Sequence, residues 1–104
     1  MKYLIKESQF DKVIFKYLDN QDFIQIERND SIYFINSEED EYVQIRYDKK
    51  NGWCLIYYRL MNEISTFFSM EVSGSALKVI GKWVENTLQM RVSKTLLSGG
   101  RNLR

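Results

Sequence analysis

The sequence predicts an α+β domain with an N-terminal helix, a three- or four-stranded antiparallel meander and two C-terminal helices packed on the sheet. Three observations predict this class. Apolar residues follow helical spacing near the start, β-branched and aromatic residues dominate the middle, and helical spacing then returns. Strands followed by helices are typical of an antiparallel sheet with helices on one face. The short connections between the strands agree, because parallel strands need long crossovers.

The first helix is predicted from Ser8, whose hydroxyl can cap a free amide, to the turn-forming pair Asp19-Asn20. Its apolar stripe follows the spacing i, i+3, i+4, i+7 and i+8, and consists of Phe10, Val13, Ile14, Tyr17 and Leu18. Residues 1–6 alternate weakly, which favours a short edge strand or an ordered arm.

Four segments rich in β-branched and aromatic residues predict the strands. They begin at Phe23, Ile32, Tyr42 and Trp53. The turn Asn51-Gly52 is suited to positive φ and joins the last two as a hairpin. The acidic run 38–41 between the second and third segments is best interpreted as a solvated loop, with a divalent-cation site or a docking patch as the alternatives.

Two helices are predicted after the strands. Leu60, Ile64, Phe67 and Phe68 fit the first of them, and Ser73 or Ser75 can cap the second. The second carries the strongest helical period in the chain, and its apolar set is Ala76, Val79, Ile80, Trp83, Val84, Thr87 and Leu88. Gly81 lies inside it, which indicates close packing of the helix against a neighbour. The domain is therefore expected over residues 1–90, and residues 91–104 are expected to form a basic C-terminal tail.

The composition argues against catalysis. The chain has no histidine, which removes the commonest general base and metal ligand. The single cysteine, Cys54, lies in an apolar strand and is expected to be a buried core residue. Neither the P-loop nor the dinucleotide-binding glycine pattern is present. We therefore predict a protein that is not an enzyme and uses no cofactor and no metal.

Charge is unevenly distributed along the chain. From Lys78 onward there are six basic residues and one acidic residue, although the whole chain carries a net charge of only +1. Four residues of the predicted tail, Arg91, Lys94, Arg101 and Arg104, are candidates for contact with a protein or a nucleic acid. A solvated tail without a partner is the other interpretation.

Alternation in the strands indicates a binding surface. On the fourth strand, Trp53, Leu55 and Tyr57 face one way and Cys54, Ile56 and Tyr58 the other, so both faces are apolar. One face must be the core, and the other must be covered by a helix, another chain or a ligand.

On the third strand, Tyr42, Gln44 and Arg46 share the face opposite Val43, Ile45 and Tyr47. Tyr42, Gln44 and Arg46 are therefore the predicted protein-binding residues, because Tyr and Arg are enriched at interfaces. We expect a protein partner or a second copy of the chain. Nucleic-acid binding through the basic tail is the alternative function.

The chain shows neither a secretory signal nor an apolar stretch long enough to span a bilayer. No membrane partner is therefore expected, and the predicted location is the cytoplasm of a host cell or a virion.

Two segments resemble a group of small uncharacterised proteins of tailed phages of aquatic bacteria. The first is Met1–Phe10, which begins Met-Lys, continues with apolar residues and reaches Lys-Glu-Ser-Gln before the helix. The second is Val79–Thr87, where Trp83 is followed by an apolar residue and Glu85. The tail from Ser98 departs from the pattern of the group. The resemblance implies a phage-encoded accessory or virion-associated protein and assigns no site residues.

Overall fold

The structure is a computed structural model that describes residues 7–36, 42–68 and 74–99. Within these ranges the chain forms three helices and five strands, which confirms the α+β class. In chain order they are α1 (Glu7–Asp19), β1 (Ile24–Arg28), β2 (Ser31–Ile35), β3 (Val43–Asp48), β4 (Trp53–Tyr57), α2 (Tyr58–Phe68), α3 (Gly74–Leu88) and β5 (Lys94–Ser98). The predictions for residues 1–6, the acidic run 38–41 and Ser73 fall outside the described ranges.

The strands form one sheet in the order β1-β2-β3-β4-β5. The first four make the predicted antiparallel meander. The fifth pairs with β4 in parallel, with Trp53 opposite Lys94 and Tyr57 opposite Ser98. Helices α2 and α3 supply the long crossover that this parallel pairing requires. The expectation of three or four antiparallel strands was therefore one strand short, and the sheet in the described chain is mixed.

The main core lies between one face of the sheet and the three helices, so α2 and α3 pack on the sheet, although β5 follows them in the chain. This helix face presents Ile32, Phe34, Ile45, Tyr47, Cys54 and Ile56, all of them buried. Leu18 of α1, Ile64 of α2 and Ile80 of α3 are fully buried against it. The apolar stripes of the helices thus exclude water from one common interior, which is the main stabilising term.

Helix α3 contacts α1 on one side and β5 on the other. The indole Nε1 of Trp83 donates a hydrogen bond of 2.9 Å to Oδ1 of Asp19 at the end of α1. On the other side, a Cβ atom added at Gly81 would lie 2.7 Å from Oγ1 of Thr95 on β5. The expectation that Gly81 marks close packing is correct, and the neighbour is the unexpected fifth strand.

A β-bulge changes the facing of residues at the start of β3. Phe34 pairs with Ile45, but Ile35 pairs with Val43, so Gln44 has no partner position on β2. An extra residue in one strand interrupts the alternation of side chains. Val43 consequently lies in a different apolar cluster from Ile45, contrary to the prediction that they share a face.

Candidate functional site

The side of the sheet opposite the helix face carries its own apolar cluster. We call this side the second face, and strand alternation and register assign to it Ile24, Ile26, Arg28, Ser31, Tyr33, Ile35, Val43, Arg46, Asp48, Trp53, Leu55, Tyr57, Lys94, Leu96 and Ser98. Tyr33, Ile35, Val43 and Tyr57 are buried in this cluster. Among the described residues, no helix contributes to it.

Several large apolar side chains of the second face keep contact with solvent. Ile26 and Leu55 are half-buried and pack on the cluster. Leu96, opposite Leu55 on β5, is half-buried as well. Trp53 is 40% exposed, and Nζ of Lys94 lies 5.6 Å from the centre of its ring. The accessible apolar surface thus extends over β1, β4 and β5.

A polar pocket opens at the turn end of the second face. It has a volume of about 320 Å³ and is lined by Arg28, Asn29, Asp30, Ser31, Tyr33, Arg46, Asp48 and Lys50. Arg46 donates a hydrogen bond of 3.1 Å from Nε to Oγ of Ser31. Its Cζ lies 5.6 Å from the centre of the Tyr33 ring, within the range of a cation–π contact. These two contacts orient the guanidinium at the pocket.

The carboxylate of Asp48 belongs to the turn beside this pocket. Its Oδ1 accepts a hydrogen bond of 2.9 Å from the backbone N of Lys50. Its Oδ2 accepts one of 3.2 Å from Nδ2 of Asn51. Gly52 closes the same turn with φ of 70°, as the Asn-Gly pair predicts. The turn therefore fixes where Lys50 and Asp48 stand.

A separate aromatic groove lies between α1 and α2. It has a volume of about 700 Å³ and is lined by Tyr17, Tyr42, Arg59, Asn62, Glu63, Thr66 and Phe67. The Cζ of Arg59 lies 4.6 Å from the centre of the Tyr42 ring. Burial, and secondarily the negative charge of Glu63, raise the pKa of Tyr17 above its usual value. Phe67 is 67% exposed at the rim of this groove.

The structure separates the three predicted protein-binding residues. Tyr42 is 39% exposed and lines the aromatic groove, whereas Arg46 lies on the second face. Gln44 is fully buried, and neither the oxygen nor the nitrogen of its amide has a hydrogen-bond partner among the residues that the structure describes. The bulge explains the difference, because Gln44 is the extra residue and alternation does not determine its direction.

The predicted tail residues also separate. Lys94 begins β5 and stands beside Trp53 on the second face. Arg91 is exposed, and its backbone carbonyl accepts a hydrogen bond of 2.7 Å from the hydroxyl of Tyr47. Arg101 and Arg104 lie outside the described residues. Part of the predicted tail is therefore a strand, since residues 94–98 belong to the sheet.

Cys54 lies in the core, as predicted. It is fully buried, and burial raises the pKa of its thiol to about 12. The thiol is therefore protonated at neutral pH and is not a nucleophile there.

Within residues 7–36, 42–68 and 74–99, no three metal-ligating side chains lie together. No helix in these same ranges is long and apolar enough to cross a bilayer.

Comparisons with protein-family models, with curated proteins and with solved structures found no match for this chain. The resemblance to phage proteins therefore stays a prediction. The class of site is defined by geometry alone, as an apolar sheet surface with a charged pocket at its end.

Proposed function

We propose that this protein is a protein-interaction module and that it binds its partner through the second face. The observation that carries the proposal is the partly exposed apolar surface formed by Ile26, Trp53, Leu55 and Leu96. Leu55 and Leu96 are neighbours in register, whereas Tyr33 and Arg46 lie between them and Ile26. Partly exposed apolar side chains grouped on one face are typical of binding sites, because exposing them to water is costly. Ile26 and Leu55 pack against the buried cluster of Tyr33, Ile35, Val43 and Tyr57 on the same face.

The residue types of the second face fit an interface. Trp and Arg are enriched where binding energy concentrates, and Trp53 and Arg46 occur here together. A ring that is already held by neighbours loses little conformational entropy on binding. Both Trp53 and Tyr33 have a basic side chain over the ring, which orders them in advance.

The charges around the second face specify the chemistry of the partner. Four basic residues, Arg28, Arg46, Lys50 and Lys94, stand at its turn end with two acidic residues, Asp30 and Asp48. The excess of positive charge favours a partner that surrounds its apolar patch with acidic side chains. With the resemblance to phage proteins, the partner would be a host or phage protein, and this chain an accessory or virion-associated factor.

Site-specific photo-crosslinking tests the proposal. A photoreactive amino acid is placed at position 96 on the second face, with a matched control at position 67 in the aromatic groove. We expect position 96 to give a crosslinked species whose yield saturates. Trp53→Glu should abolish this species, and an excess of this chain without the photoreactive group should displace it. Equal yields from positions 96 and 67, or an insensitivity to Trp53→Glu, would contradict the proposal. Crosslinks between two copies of this chain would identify the partner as itself.

Nucleic-acid binding is the second candidate, and the pair Trp53–Lys94 favours it. An exposed indole beside a basic side chain can stack a base and contact the adjacent phosphate. Trp53 is the accessible indole, since Trp83 is only 6% exposed. Quenching of tryptophan fluorescence by single-stranded DNA or RNA, lost in Trp53→Leu, would support it. Deletion of residues 99–104 should then weaken binding and flatten its salt dependence.

A further inference from the structure

We infer that the polar pocket binds a carboxylate group, supplied by an acidic side chain of the partner that docks on the second face. The source of the carboxylate rests on the proposed function, whereas the pocket itself does not. At the pocket, charged side chains from separate elements of the second face converge. Arg28 ends β1, Arg46 lies within β3 and Lys50 lies in the following turn.

Arg46 is prepared for this role by its neighbours. Its Nε is engaged by Oγ of Ser31 at 3.1 Å, and Ser31 is only 4% exposed. Its guanidinium lies over the Tyr33 ring. A planar guanidinium held in this way presents donors in a fixed geometry that suits the two oxygens of a carboxylate. Because the side chain is already ordered, binding loses little of its rotamer freedom.

The charge of the pocket selects a carboxylate over a phosphate. Two acidic side chains, Asp30 and Asp48, lie in the lining beside the basic ones. A phosphate monoester carries nearly two negative charges at neutral pH. These two carboxylates would therefore repel it more strongly than they would repel a singly charged carboxylate.

The position of the pocket favours a carboxylate on a protein over a small free anion. Tyr33 and Arg46 are paired across β2 and β3, and their neighbours in register are Ile26 on β1 and Leu55 on β4. An apolar partner segment lying on Ile26 and Leu55 would exclude water from the mouth of the pocket. Charged hydrogen bonds gain strength when water is excluded around them.

Titration of the purified chain tests the pocket without any partner. Sodium acetate is added at ionic strength matched with sodium chloride, and the backbone amide signals of Ser31 and Tyr33 are followed by NMR. We expect a saturable shift with acetate only. Arg46→Gln should lower the affinity for acetate on the order of tenfold or more, which is the loss expected when a charged hydrogen bond is removed. The matched control Arg59→Gln, in the aromatic groove, should leave the affinity unchanged.

A second variant, Lys50→Gln, and a titration with inorganic phosphate complete the test. Lys50→Gln alters an exposed turn side chain without touching the core, so it remains informative if Arg46→Gln unfolds the protein. Lys50→Gln should lower the affinity for acetate several-fold. No saturable shift with acetate, or an identical response to chloride, overturns the site. Tighter binding of inorganic phosphate than of acetate overturns the carboxylate assignment.

The crosslinking assay at position 96 then separates this inference from the proposed function. Loss of the crosslink in both Trp53→Glu and Lys50→Gln supports a carboxylate from the partner. If Trp53→Glu abolishes the crosslink but Lys50→Gln and Arg46→Lys leave its yield unchanged, the second face is supported as the interaction surface. The same result refutes the inference that the partner supplies a carboxylate to the pocket. No dependence on Trp53→Glu refutes the interaction surface, and the acetate titration still decides whether the pocket binds anions.

Discussion

The contact between Gly81 and Thr95 gives the sharpest test of the fold, because it joins α3 to the strand that sequence patterns did not predict. In Gly81→Ala the new Cβ would lie 2.7 Å from Oγ1 and 3.3 Å from Cγ2 of Thr95. Rotation of the Thr95 side chain can move Oγ1 away, but a heavy atom on its β-carbon then still lies near the 3.3 Å position. The helix or the strand must therefore yield by a few tenths of an ångström.

Two opposing terms set the expected magnitude. Alanine is favoured over glycine in a helix interior by about 1 kcal/mol. Overpacking of an ordered interface costs about 1–3 kcal/mol. We expect Gly81→Ala to destabilise the protein by about 1 kcal/mol, and to lower the melting temperature by about 4–8 °C for a domain of this size.

A double-mutant cycle followed by urea denaturation isolates the contact. In a Thr95→Ala background the nearest remaining atom is Cβ, at 3.6 Å, which is ordinary van der Waals distance. Gly81→Ala should then stabilise the protein by about 0.5–1 kcal/mol, because only the helical preference remains. Gly99→Ala, where a Cβ would meet nothing within 4 Å, is the control. If Gly81→Ala stabilises both backgrounds equally, β5 does not pack on α3 as described.

Three further predictions concern buried polar groups. Gln44→Met should stabilise the protein by about 1–3 kcal/mol in urea denaturation, because the buried amide has no hydrogen-bond partner within the described ranges. Gln25→Met, at an exposed position, is the control and should be neutral. Destabilisation by Gln44→Met would contradict this prediction. Trp83→Phe should cost more than about 1 kcal/mol in thermal unfolding, because it removes both the bond to Asp19 and buried ring area beside Phe23 and Phe34. Asp19→Asn, which keeps an acceptor, should cost less. Burial raises the pKa of the Cys54 thiol, so the stability that the protonated thiol contributes is complete below pH 9 and is lost as the pH rises toward about 12. Cys54→Ala should flatten this decline of the unfolding free energy at alkaline pH. An unchanged decline in Cys54→Ala would show that the thiol does not cause it.

Sequence patterns predicted the elements whose evidence is local. The stripe containing Ile14 and Leu18 placed α1, and the stripe containing Trp83 placed α3, because burial repeats with the helical period. The hairpin of β3 and β4 followed from Asn51-Gly52. The strand β5 was missed because its five residues carry little period of their own. Its pairing with β4 joins segments far apart in the chain, which no local pattern encodes.

The candidate surface was predicted in part. The two-sided apolar character of β4 was recognised from the sequence, but not which side is the core; the structure places Trp53, Leu55 and Tyr57 on the second face. Arg46 was placed on the correct side of β3. Gln44 was not, since a one-residue bulge alters facing without a distinctive sequence signal. Lys94 beside Trp53 could be recognised only once the parallel pairing was known.

Hydroxyl-radical footprinting can show whether a partner binds on the second face. The oxidation rate of Trp53 is compared between the free chain and the chain in the assembly it forms with its partner, with Phe67 as the internal reference. Our account predicts strong protection of Trp53 and an unchanged rate at Phe67. Protection of Phe67 with Trp53 as reactive as in the free chain would place the partner on the aromatic groove and contradict the account.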